Sequence, residues 1–437
     1  MHQGNGRKIG WVSAAAIVVA NMVGTGVFTS LGLQLEVLSN PWSILILWGV
    51  GGLISLFGAF SYAELGTKLP RSGGEYYFLT QIYHPILGYL SGWVSLTVGF
   101  AASVALAAMA MGAYLGKFLF LSPQWIAILS IIIISMVHSV SIRTSSRFQN
   151  TFTALKLFLI LFLIIACFAV PSSTASFSQS EVSLAGEVLN PAFAVALVYV
   201  IYAFSGWNAA AYIVEEIKAP ERNLPIALIG GTLVVSLLYI LLQVGFLHQA
   251  SVEQLTGKVE VGQVVANHMF GPQGGKLISF FIALFLISSI SAMVWVGPRV
   301  VRAMANDYSI WHFLAQDNRK GIPVRAVWLQ AFISIFMIAT SSFEQVLLYS
   351  GFVLQLFTTI TVAGVFVMRL KNGHRGYSSP GYPWVQVIFL AISIWMLAFL
   401  MYDRPLESLL GFANLLLGAV SYWWSRRHEK QVEGKQT

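Results

Sequence analysis

The chain has 437 residues, of which 57% are hydrophobic, 14% aromatic and only 10% charged, with a formal net charge of +8. An ordinary soluble chain carries about 25% charged residues, so this one holds less than half of what a water-facing surface needs. Soluble enzymes, nucleic-acid binders and secreted disulfide scaffolds are therefore poor readings. The single cysteine, Cys167, sits in an apolar run, which excludes an internal disulfide and argues against a Cys-based metal site.

A helix crosses the hydrocarbon core in about 20 predominantly apolar residues. By that measure the sequence predicts twelve spans, starting near Ile9, Pro41, Ile86, Gln124, Phe148, Pro191, Pro225, Lys276, Val324, Gln345, Trp384 and Leu406. The first run is longer than a signal-peptide core and no clear cleavage site follows, so it reads as a retained span. An even number of spans puts both termini on one side. Of the 25 Lys and Arg, this parity assigns 20 to the terminus side, among them Arg7, Arg143, Lys320, Arg375, Arg426 and Lys435. Only Lys117, Lys258, Lys276 and Arg404 fall on the other side, and Lys156 lies inside a span. This asymmetry predicts cytoplasmic termini in an inner or plasma membrane, and it accounts for the net charge without nucleic acid.

Two spans are interrupted. Span 1 reads Ala20-Asn21-Met22-Val23-Gly24-Thr25-Gly26-Val27-Phe28, and span 6 reads Tyr202-Ala203-Phe204-Ser205-Gly206-Trp207-Asn208. Small residues also serve close helix packing. Five spans apart, however, the two breaks fall at corresponding positions of two halves with opposite topology, the pattern that points to a secondary transporter's substrate site. Unwound backbone survives in a membrane only where it lines a cavity or finds partners. N–H groups at Gly24, Thr25, Gly26 and Val27 would attract an anion, helped by the helix dipole. Carbonyls near Val23, Phe204 and Ser205 would accept from an ammonium. An α-amino acid satisfies both sets.

The chain resembles the amino acid–polyamine–organocation superfamily, in particular bacterial permeases similar to the light-chain L-amino-acid transporters. The residues that carry the resemblance are Gly24-Thr25-Gly26-Val27-Phe28, Ala63-Glu64-Leu65, Pro70-Arg71-Ser72-Gly73-Gly74-Glu75-Tyr76, Phe204-Ser205-Gly206-Trp207-Asn208, and Glu215-Glu216-Ile217-Lys218-Ala219-Pro220-Glu221-Arg222-Asn223-Leu224-Pro225. The resemblance implies an all-α polytopic fold of twelve transmembrane helices, with a five-plus-five inverted repeat of the leucine-transporter type and two extra helices. The repeats would cover 9–170 and 191–371, the extra helices 384–425, and a cytoplasmic tail 426–437. It also implies substrate between helices 1, 3, 6, 8 and 10 and alternating access. The carboxylate would sit at the first break, the ammonium at the second, and Phe204 would act as an aromatic gate. Thr25 stands where most relatives have Ser, and Tyr308 where they often have Gly. Animal relatives link to an ancillary subunit through a cysteine between helices 3 and 4; residues 117–123 contain none, so no disulfide-linked partner is expected.

Single residues sharpen the reading. Lys156 lies nine positions after Arg147, a rise of about 13 Å. It either snorkels to the headgroups or acts in the membrane. The resemblance places it where sodium-coupled relatives hold sodium, so its ammonium is expected to bridge helices 1 and 8 and replace the ion, or to carry a proton. Ser288, Ser289 and Ser291 are the helix 8 hydroxyls available to such a site. Gly206, Trp207 and Asn208 are read as pocket or gate residues, with packing as the alternative for the tryptophan. Glu64, Glu215 and Glu216 read as solvated helix ends more than as inner-gate ion pairs, and His138, His248 and His268 as structural. Residues 259–270 predict a short outer helix. No cofactor, metal or catalytic residue is implied. The expected function is sodium-independent exchange of neutral L-amino acids. The alternatives are a proton-coupled permease, an antiporter of cationic amino acids or polyamines, and a transporter-like sensor.

Overall fold

The computed structural model describes residues 8–119, 121–140, 145–172, 182–308, 311–319, 321–372 and 376–433. Arg7, Arg143, Lys320, Arg375 and Lys435, counted above on the terminus side, lie outside the described residues. The described chain is built of helices: α1 (Trp11–Met22), α2 (Gly26–Gln34), α3 (Pro41–Lys68), α4 (Glu75–Ile82), α5 (Pro85–Val94), α6 (Ala101–Leu119), α7 (Pro123–Val140), α8 (Ser145–Ala169) and α9 (Leu184–Val188). There follow α10 (Pro191–Phe204), α11 (Pro220–Gln249), α12 (Val252–Leu255), α13 (Val261–Asp307), α14 (His312–Ala315), α15 (Val324–Thr340), α16 (Phe343–Asn372), α17 (Trp384–Asp403) and α18 (Pro405–Glu433). A π-helical turn, Ser95–Phe100, joins α5 to α6, and a 3₁₀ stretch, Ala209–Glu216, follows α10.

Proline sets many of the starts. Pro41, Pro85, Pro123, Pro191, Pro220 and Pro405 each open a helix, where a missing N–H costs nothing and a fixed φ is already helical. Asn40 and Asn190 add side-chain caps, accepting from Trp42 N and Ala192 N at 2.9 Å. The seventh span accordingly begins at Pro220 and not at Pro225, which lies inside α11. The eighth begins after Gly271 (φ 69°), which breaks α13; the preceding turns from Val261 form the expected outer helix. The last helix continues past Arg426 to Glu433.

Among the described residues, ten helices are long and apolar enough to cross a membrane. The pair α1 and α2, bent by 41°, makes an eleventh if it is one span, and α15 is a further apolar helix of 17 residues. The protein is an all-α, polytopic integral membrane protein. Inside it α11 lies along α3 and α1, α13 lies along α6, and α2 packs on α10, which brings the two interrupted segments together at the centre.

One expectation about charge is corrected here. Glu64 is not a solvated helix end: it is fully buried and holds Arg369 through two bonds of 2.7 and 2.6 Å, Lys68 at 2.7 Å and the Ser379 amide at 2.8 Å. Arg369 lies on α16, and its guanidinium also covers the Tyr382 ring at 3.6 Å. Glu215 and Glu216 are exposed as expected. Glu215 nevertheless exchanges bonds of 3.1 and 3.2 Å with Ser72. Tyr308, the departure from the family pattern, packs edge-on against Tyr89 at 4.7 Å.

Candidate functional site

The first break spans Val23 to Thr25, between α1 and α2. Neighbouring helices bond carbonyls on either side of it. Tyr239 of α11 donates to Met22 O at 2.7 Å, Gln243 to Val27 O at 3.2 Å, and Tyr114 of α6 to Phe28 O at 2.9 Å. The hydroxyls of Thr29 and Ser30 bond back to Thr25 O and Gly26 O at 3.0 and 2.7 Å. The N–H groups of Thr25, Gly26 and Val27 have no hydrogen-bond partner among the described residues. They are the open donors of a helix start.

At the second break α10 ends at Phe204 and the chain turns through Gly206 at φ 100°, a left-handed conformation that favours glycine. Glycine is also required by proximity. A Cβ on Gly206 would lie 2.7 Å from the Asn21 carbonyl carbon, and one on Gly26 would lie 2.5 Å from Ala203 Cα. Each break therefore presses a glycine against the main chain of the other.

A cavity of about 70 Å³ opens where they meet. It is lined by Ala20 to Gly26, by Ser103 and Ala107 of α6, by Lys156 of α8, by Tyr202, Ala203 and Ser205, and by Ser289, Ala292 and Met293 of α13. Lys156 is 4% exposed, and its Nζ donates to Ser289 Oγ at 2.6 Å. Its side chain is thus turned inward, as the functional reading requires and snorkelling does not. Within the described residues the bond reaches α13; the first break shares the cavity wall with Lys156 but has no direct bond to it.

Of the residues singled out in the sequence, Val23, Gly24, Thr25, Gly26, Ser205, Lys156 and Ser289 line the cavity. Others do not. Phe204 is fully buried behind the wall, against Trp48 at 5.8 Å and Tyr239 at 5.2 Å, and does not line the cavity. Trp207 packs on Tyr62 at 4.8 Å and over Gly58, which is the packing alternative. Asn208 points to Glu75 at 3.4 Å. Gly206 supports the wall through Asn21, and Val27 lies beyond it, buried. Ser291 bonds His138 at 2.8 Å, and Ser288 is buried without a partner among the described residues.

Tyr202 is the wall residue that sequence reasoning missed. It is buried, and its hydroxyl reaches Ser103 at 3.4 Å. Helical phase could have found it: three residues before Ser205 it shares a face with the break, whereas Phe204 points elsewhere.

Comparison with known proteins agrees with this architecture. The family model described as Amino acid permease matches residues 9–420. The human b(0,+)-type amino acid transporter 1 is 28% identical over 97% of this chain and 88% of its own length. The human cystine/glutamate transporter is 26% identical over 95% of this chain and 85% of its own. The mouse large neutral amino acids transporter small subunit 2 is 28% identical over 95% and 80%.

Proposed function

The chain belongs to the amino acid permease family and is a membrane transporter rather than an enzyme; from that premise we propose that it exchanges neutral L-amino acids across the membrane without sodium. The observation that carries this reading is the cavity between the two breaks. On one side it presents the free N–H groups of Thr25 and Gly26, with that of Val27 just beyond. On the other it presents the end of α10, whose last carbonyls lack further helix to bond. A carboxylate is matched to the first and an ammonium to the second. Tyr202, Ala107, Ala292 and Met293 leave a mostly apolar wall for a side chain. The wall contains no acidic residue to pair with a cationic substrate.

Lys156 takes the role of a resident cation, bonded to Ser289 beside the first break. Neither substrate nor ion then has to supply that charge. The meeting of the two breaks supports inverted repeats over 9–170 and 191–371, and the basic residues on the terminus side support cytoplasmic termini.

The test is uptake of labelled alanine, leucine, arginine, glutamate and putrescine into proteoliposomes without sodium, with and without trapped unlabelled amino acid. Uptake of alanine or leucine that needs the trapped pool is expected. Uptake into empty vesicles driven by a pH gradient would replace exchange by proton symport.

A further inference from the structure

Glu75 opens α4 and is 7% exposed, outside the cavity and outside the spans that flank it. Three neutral polar groups converge on one of its oxygens. The Tyr62 hydroxyl of α3 bonds Oε1, and Asn208 Nδ2 and Thr358 Oγ1 of α16 lie 3.4 Å from it, the threonine hydroxyl donating also to Leu354 O at 2.9 Å. Among the described residues nothing donates to Oε2, and no Lys, Arg or His pairs with the carboxyl. Glu64, eleven positions earlier, is the contrast, with Arg369 and Lys68 both in contact. A carboxyl buried among neutral groups with no cation in contact bears the full desolvation of its charge, which favours the protonated form.

The groups around it supply no counter-charge. Tyr62 faces it from α3 and Tyr212 from the segment after the second break, both phenols. The cations of α16 are engaged elsewhere, Arg369 by Glu64 and Lys371 by Ile82 O at 2.9 Å. On α5, Tyr89 bonds Ser421 and Trp311; on α4 itself, Tyr76 bonds Asp307 at 2.7 Å. Burial pushes the Glu75 carboxyl up to about 7, against the pull of its three donors.

The position has mechanical consequences. Asn208 lies two residues beyond Gly206, and its long contact of 3.4 Å places Glu75 against the segment that follows the second break. The same segment is seated on the turn before α4: Gly73 N donates to Tyr212 O at 3.2 Å, and a Cβ on Gly74 would lie 2.6 Å from the Tyr212 ring. Ile9 joins it through bonds of 2.8 and 2.9 Å to Glu216 O and from Lys218 N. This face carries the N-terminus. Opening the cavity toward this face by alternating access, on which the proposed function rests, would separate α4 from the segment after the break.

We propose that Glu75 is a proton-binding site that, while protonated, locks α4 against the segment after the second break and against α16. Separation exposes the carboxyl to water, where an ordinary glutamate titrates near 4.3. The locked form therefore binds the proton more tightly. Its advantage is greatest in acid and is lost as pH rises through about 7. Between about pH 6 and pH 8 the balance shifts about tenfold toward the separated form. The ligand is a proton taken from the N-terminal face; no coupling to substrate stoichiometry is implied. The proposal thus stands whether transport proves to be exchange or symport.

Two measurements test it on the full chain. Infrared titration of the purified protein should show a protonated-carboxyl stretch that disappears near neutral pH and is missing from Glu75→Gln. Transport in proteoliposomes clamped at equal internal and external pH should vary several-fold across the same range in the parent protein and be flat in Glu75→Gln. A parent titration with no band lost in Glu75→Gln, or a variant that keeps the parent's pH profile, overturns the proposal. If Glu75→Gln does not fold, Tyr62→Phe decides. It removes a donor that favours the carboxylate, so the infrared midpoint must move to higher pH; an unmoved midpoint overturns the proposal equally.

Discussion

Replacing Lys156 by Met keeps most of the aliphatic stem that fills the wall and removes the ammonium. The bond lost is a charge-assisted one of 2.6 Å to Ser289 Oγ, made by a lysine only 4% exposed. Hydrogen bonds to charged groups contribute about 1.5–3 kcal/mol, which corresponds to about a 10- to 150-fold loss in transport efficiency if the bond holds the substrate-competent arrangement of the first break. Ser289→Ala removes the acceptor and leaves the ammonium buried, so its loss should be similar or larger. The double variant should be no worse than the poorer single one, because both remove one interaction. The assay is initial-rate exchange in sodium-free proteoliposomes, normalised to protein that elutes as a single species. A Lys156→Met protein with parental kinetics, or strictly multiplicative losses in the double variant, would refute a resident cation acting through Ser289.

Three further outcomes follow from the geometry. Gly206→Ala meets both a left-handed φ of 100° and the Asn21 main chain at 2.7 Å; strain of about 1–3 kcal/mol should lower exchange about five- to 150-fold while membrane insertion persists, checked by uptake alongside size-exclusion chromatography. Arg369→Met leaves the buried Glu64 carboxylate with only Lys68 and the Ser379 amide; losing one partner of a buried pair costs up to about 3–5 kcal/mol, so thermal unfolding in detergent should occur at clearly lower temperature, and an unchanged melt would contradict the network. Tyr202→Ala enlarges the cavity wall and should raise the apparent KM for small substrates several-fold, whereas Tyr202→Phe should be nearly silent because its bond to Ser103 is long at 3.4 Å; competition uptake separates the two.

Much of this protein was legible in its sequence because the information is local. Apolar runs of span length state the solvent, and six prolines mark helix starts through a fixed φ and a missing N–H that no tertiary contact can alter. Gly24, Gly26 and Gly206 marked the breaks, and an unwound backbone in a membrane has to line a cavity or be satisfied by its neighbours. What sequence could not supply is the rotational phase of side chains around those breaks and the identity of distant partners. Tyr202 faces the cavity and Phe204 does not, although both are aromatic and two residues apart. Ser289 meets Lys156 while Ser291 turns to His138, because successive positions on α13 point to different neighbours. Glu64 looked like an exposed helix end until α16 delivered Arg369 from 305 residues away. Glu75 looked like one letter of a loop motif, and only the packing of α3, α4, α16 and the second break leaves its carboxyl buried with no cation beside it. Burial and pairing belong to the arrangement of all the helices at once, and no stretch of chain encodes them alone.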